Sequence, residues 1–194
     1  MLGNYCRDLG DYFSQKFSLA LARFGAQTWI INLCAIVCAV GSSYFFISHN
    51  LYLALFMLFL NHAFDYMDGS IDRAKKYLGI NSFRYRTIFH VLSDKLSEII
   101  IFLGMIFGGY IRWELGLIGI VTCLILTMLG RWVYRKTVFD LSQSLFDRSD
   151  RLFVILLLCL MRQYNFALIL VSIMNVIGII QRLIALFVTW YFLL

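Results

Sequence analysis

Long apolar runs, broken at short intervals by a few polar residues, set out the plan of this chain. Runs of about the length that crosses a bilayer, roughly 20 residues, occur at 28–48, 51–72, 87–110, 113–135 and 165–192, and a shorter one at 150–162 extends at both ends. The pattern predicts an all-α integral membrane protein built as a six-span helical bundle. Ahead of it, Leu9, Phe13, Phe17, Ala20, Leu21 and Phe24 fall within roughly 120° of helical arc, with Lys16 and Arg23 at the edge and Asp8 and Asp11 beyond. That stripe predicts an amphipathic helix lying on the membrane surface, its edge cations reaching out to water. The expected organisation is residues 1–27 as a juxtamembrane helix and 28–194 as one six-span domain.

Composition narrows the class. Hydrophobic residues make up 61% of the 194 positions and charged residues 14%, with a mean hydropathy of +0.80. A soluble domain carries about 25% charge, so a soluble enzyme or binding module is excluded and any chemistry belongs in or beside the bilayer. The opening Met1-Leu-Gly-Asn-Tyr-Cys-Arg-Asp reaches an acidic residue before any uninterrupted apolar core, and it does not read as a cleavable signal peptide. The five cysteines, at positions 6, 34, 38, 123 and 159, form no C-x2-C pair and read as small apolar fillers. There is no proline, which argues against proline-kinked gating helices.

Charge then gives the chain a direction. In a six-span arrangement Arg7, Lys16, Arg23, Arg73, Lys75, Lys76, Arg84, Arg86, Arg131, Arg135, Lys136, Arg148 and Arg151 share one side, while Arg112 and Arg162 lie at turns on the other. By the positive-inside rule the basic side is cytoplasmic, with both termini there. The net charge of +6 comes largely from this rim, which implies anionic lipid headgroups as its partner and not nucleic acid. Trp29, Trp113 and Trp190 fall near span ends, where indole rings suit the interface.

Against that apolar background a few acids stand out. Asp65, Asp68 and Asp72 fall within about 60° of one helical face, and His90, Asp94 and Glu98 within about 80° of another. An ionisable group inside a span costs at least ~2.5 kcal/mol on insertion scales, so a cluster of them marks a functional site; the plainer alternative is a solvated helix end. Two facing polar stripes of this kind suit a hard divalent cation, with Asp65, Asp68 and Asp94 as natural ligands.

The string Asp65-Tyr-Met-Asp68-Gly69-Ser-Ile-Asp72-Arg73, followed by Ser93-Asp94-Lys95-Leu96-Ser97-Glu98, resembles the motif of the CDP-alcohol phosphatidyltransferase family, D-x2-D-G-x2-A-R then G-x3-D-x3-D. Asp65, Asp68, Gly69 and Arg73 match its first half and Asp94 its last acid. Three positions depart: Asp72 stands at the family's alanine, Arg86 at its second glycine and His90 at its third aspartate. The interval from Arg73 to Asp94 is also several residues longer than usual. The resemblance implies Mg²⁺ or Mn²⁺ held by Asp65 and Asp68, with Asp94 as general base or second-metal ligand. Asp65, Gly69 and Arg73 would contact the nucleotide of a CDP-linked lipid donor, and CMP would be the leaving group. His90 takes away one carboxylate, and imidazole suits transition metals better than Mg²⁺. Asp72 or Glu98 is positioned in sequence to replace it; a one-metal site or lapsed catalysis are the other outcomes.

A second constellation is basic. Arg131 and Arg135 lie one turn apart, and Arg148-Ser-Asp150-Arg151 opens the next run; such arginines fit an anionic acceptor through paired hydrogen bonds, or simply set topology and touch headgroups. Their order resembles the subgroup of the family that transfers to inositol phosphate, which implies acceptor-phosphate contacts from Arg135, Arg148 and Arg151 with Arg131 assisting. The expected activity is metal-dependent transfer of a phosphatidyl-type group, diacylglycerol or archaeol, to a polyol. Inositol phosphate is the leading acceptor, and glycerol phosphate or serine the alternatives. The family implies a homodimer and an active site facing the cytoplasm. The rival from another class is a membrane protein that binds nucleotide or lipid without turnover, or a small transporter; a transporter is expected to show repeated halves or broken helices, and neither is visible.

Overall fold

The computed structural model describes residues 18–25, 27–79, 86–136 and 148–193. Among these the regular structure is all helix, joined by short turns. Residues 18–23 form a helical turn and a half, and the rest of the expected surface helix at 4–24 lies outside the described residues. Six helices follow: α1 (Thr28–Ile47), α2 (Leu51–Tyr77), α3 (Arg86–Phe107), α4 (Trp113–Lys136), α5 (Arg148–Leu160) and α6 (Tyr164–Leu193). Each coincides with one of the six apolar runs. The main departure is α2, which continues past residue 72 to Tyr77 because Arg73, Ala74, Lys75 and Lys76 keep helical geometry after the apolar residues end.

Among the described residues, three helices are long and apolar enough to cross a membrane: Thr28–Ile47, Trp113–Gly130 and Tyr164–Val188 within α1, α4 and α6. The second half of α2 and the first half of α3 carry the charged residues, and α5 has only 13 residues.

Contacts divide the chain into two compact units, Met1–Gly104 and Met105–Leu194. In the first, α1 packs along α2. Between Ile31 and Phe46, which are buried at either end, the face that α1 buries is small and partly polar, with Asn32, Ala35, Cys38, Ala39 and Ser42, while Leu33, Val37, Val40, Tyr44 and Ile47 point outward. That is the reverse of a water-soluble helix. It is expected where lipid takes the apolar face and close packing with polar contacts holds helices together. Asn61 Nδ2 donates to the Ala35 carbonyl at 2.7 Å, and Ser42 Oγ donates to the Ala54 carbonyl at 2.9 Å. Gly104, near the end of α3, faces Ser43 of α1 so closely that a Cβ there would overlap the Ser43 backbone.

In the second unit α6 packs against both α4 and α5. Asn175 Nδ2 donates to Thr122 Oγ1 at 3.1 Å, and Thr122 Oγ1 donates to the Ile118 carbonyl at 2.8 Å. Arg182 reaches from α6 and donates through Nη1 to the Leu126 carbonyl of α4. Gly130, one turn beyond Leu126, makes room for it: a Cβ at Gly130 would stand 2.5 Å from the same guanidinium nitrogen. Trp29, Trp113 and Trp190 are all exposed, as interfacial indoles should be.

Candidate metal and nucleotide site

The site lies in the first unit, where α2 meets α3. Asp65 from α2 and His90 and Asp94 from α3 each offer a ligand atom, and these atoms all lie within 4.8 Å of one another. A cation with bonds of about 2.1 Å holds its ligand atoms about 3.0 Å apart when adjacent and about 4.2 Å when opposite, so the three need draw in by no more than about 2 Å. The donor set, two carboxylates and an imidazole, fits a divalent cation. His90 and Asp94 stand four residues apart, one turn of α3, with Nε2 of the ring 3.6 Å from Asp94 Oδ2.

Asp68 sits behind this group. Its side chain is wholly buried, and Oδ2 lies 3.1 Å from His90 Nδ1, although not along the N–H direction. The imidazole therefore lies between two carboxylates, one on each nitrogen. Asp72 shares the α2 face but is not among the three grouped residues. Glu98, the other residue placed to supply a missing acid, is buried and forms an ion pair with Lys95, Nζ to Oε2, at 2.5 Å.

Gly69 follows Asp68 on α2. A Cβ there would meet only Arg73 Nη1, at an ordinary 3.5 Å, so packing within the chain does not demand glycine. The space it leaves is open to a ligand. Arg73 is exposed and donates through Nη2 to Ser70 Oγ at 3.2 Å, which holds its guanidinium near the helix.

The basic constellation lies in the second unit. Arg148 and Arg151 stand in the first turn of α5, three residues apart on one face. Arg151 is buried, and Nε and Nη2 of Arg148 are also enclosed. Arg131 and Arg135 are placed on the last turns of α4, and their side chains, like that of Arg86 and all of Arg84, lie outside the described part of the structure.

Sequence reasoning singled out every member of the metal group. The inward docking of Arg182 on the Leu126 carbonyl has its sequence signal at Gly130, whose missing side chain gives away a close approach one helix over. Sequence reasoning left open whether Glu98 serves the cation, and the i, i+3 spacing of Lys95 and Glu98 was the available clue.

No family model matches the chain. It is 25% identical over 177 residues to the archaetidylinositol phosphate synthase of Pyrococcus horikoshii, a match that covers 87% of each chain. Its fold is that of the phosphatidylinositol phosphate synthase of Mycobacterium tuberculosis. The form with CDP-DAG bound superposes with a TM-score of 0.70 at 16% identity, covering 89% of this chain and 92% of that one. The form in complex with manganese and citrate gives 0.72 at 16%, over 90% and 88%. In motif, in sequence and in fold, the chain is similar to the CDP-alcohol phosphatidyltransferases of the inositol-phosphate type, and the resemblance read from residues 65–94 stands on all three.

Proposed function

We propose that this protein is a multi-pass membrane transferase that moves a phosphatidyl-type group from a CDP-linked lipid to inositol phosphate and releases CMP. The observation that carries the reading is the meeting of Asp65, His90 and Asp94 where the helices α2 and α3 come together. The relative solved with CDP-DAG supports the donor class, the archaetidylinositol phosphate synthase supports the acceptor, and the relative solved with manganese supports a divalent cation. In this reading all six helices span the bilayer, and the site faces the cytoplasm.

The bound cation would offset negative charge that develops on the pyrophosphate as its bridge breaks. The chain's own residues do the rest. Gly69 lets the nucleotide lie close to the α2 backbone, with Arg73 beside the phosphates. Arg148 and Arg151, with Arg131 and Arg135, hold the acceptor phosphate through charge-assisted hydrogen bonds. The acceptor hydroxyl oxygen bonds to the lipid-bearing phosphorus, and the bridging P–O bond breaks. CMP leaves with the electron pair, and the hydroxyl proton passes to the carboxylate of Asp94.

The test is CMP release by purified protein in lipid, with CDP-diacylglycerol or CDP-archaeol, Mg²⁺ or Mn²⁺, and inositol phosphate, glycerol phosphate, inositol or serine in turn. Metal-dependent release with inositol phosphate, lost in Asp94→Asn, is expected. Binding of the CDP-lipid with no release under any combination would instead make this a binding protein.

A further inference from the structure

The two nitrogens of His90 have different surroundings. Nδ1 lies 3.1 Å from Oδ2 of a fully buried Asp68, whereas Nε2 lies 3.6 Å from Oδ2 of Asp94, whose side chain is 16% exposed. The enclosed carboxylate is thus on the opposite nitrogen of the ring from Asp94. Carboxylates behind metal-bound imidazoles do one particular job: they take the second N–H, fix the ring's orientation and raise its basicity as a ligand. A slight turn of the ring as Nε2 engages a cation would bring Nδ1–H onto Asp68.

We propose that the cation site of this protein is formed by Asp65, Asp94 and Nε2 of His90, with Asp68 outside it as the residue that positions the imidazole, and that this set prefers first-row transition cations to Mg²⁺. The inference rests on the metal-dependent transferase reading and deepens it. Two carboxylates and a neutral imidazole balance a divalent charge. The hard, oxygen-seeking Mg²⁺ gains little from the nitrogen, and Mn²⁺, Fe²⁺, Co²⁺ and Zn²⁺ gain progressively more. Asp68 acts through His90, so its removal should matter only while the imidazole is there to be positioned.

The experiment uses the full chain in lipid with the metal alone as probe. Spin-echo spectra of bound Mn²⁺ are expected to carry a ¹⁴N coupling that disappears in His90→Asp. Co²⁺ should displace Mn²⁺ at concentrations about tenfold or more below those Mg²⁺ needs, and His90→Asp should shrink that gap by about tenfold. Asp68→Asn should weaken Mn²⁺ binding by about tenfold to a hundredfold in the natural chain, but by less than about twofold beside His90→Asp. Bound Mn²⁺ without a ¹⁴N coupling overturns the proposal and needs no variant to fold. So does an unchanged preference in His90→Asp, or an Asp68→Asn loss of equal size in both backgrounds. If metal-dependent CMP release persists in such a case, only this inference fails; folded protein that neither binds a cation nor releases CMP removes the transferase reading as well.

Discussion

Gly69 separates what the fold needs from what a ligand needs. Alanine there meets nothing but an ordinary contact with Arg73, and replacing glycine inside a helix gains about 0.5–1 kcal/mol from propensity alone. Gly69→Ala should therefore raise the melting temperature in detergent while raising KM for the CDP-lipid, opposite signs that a packing role would not produce. Asp72 gives the complementary case. It lies off the Asp65, His90 and Asp94 group, so Asp72→Ala is expected to retain metal-dependent CMP release; loss of cation binding in that variant, measured by Mn²⁺ titration, would restore it to the site. The candidate residues were legible because acids clustered at helical spacing are costly within an apolar run. Their division of labour was not, since Asp65 and Asp68 share an α2 face and only the rotation of α3 decides which carboxylate meets which nitrogen of His90.

Among the helices of the first unit, α3 comes very close to α1 at Gly104. Gly104→Ala would force the Ser43 backbone away, and overpacking of this kind costs about 1–3 kcal/mol. Thermal unfolding should show that loss, whereas the same substitution at Gly109, where a Cβ meets nothing but φ is +69°, should be costly through backbone strain alone. Lys95 and Glu98 form a part-buried pair on α3, the carboxylate enclosed and the ammonium reaching solvent. Removing the carboxylate leaves a partly enclosed charge behind, so Glu98→Ala is expected to destabilise by about 1–3 kcal/mol, with Lys95→Met, Glu98→Leu together recovering most of it. Helix positions were legible almost to the residue because apolar length and turn residues fix them; Ser48-His49-Asn50, for example, separates α1 from α2 with His49 at φ 58°. The extension of α2 to Tyr77 was hidden, since hydropathy ends at the membrane surface and helical hydrogen bonding does not.

For the whole molecule, a cation that binds only the folded chain stabilises it by mass action, about 2.7 kcal/mol at a hundredfold excess over Kd. Chelation should lower the melting temperature of the natural protein and leave that of an Asp65→Asn, Asp94→Asn double variant unmoved. Membrane residence was legible from composition alone; sidedness rests on the distribution of lysine and arginine, and cysteine labelling from either face at the 109–111 turn and at residues 78–79 would test it, with the second expected to react from the cytoplasm. One contact in the second unit bears on how the chain is made. An arginine at a span centre adds about 2.5–3.5 kcal/mol to the cost of insertion. Arg182 has its partner carbonyl on Leu126, 56 residues earlier, so by the time the ribosome has delivered α6 its docking place on α4 already exists. The last helix can enter the bilayer against a sibling instead of bare lipid, and the reverse order of synthesis would have to thread that charge through with nothing waiting for it.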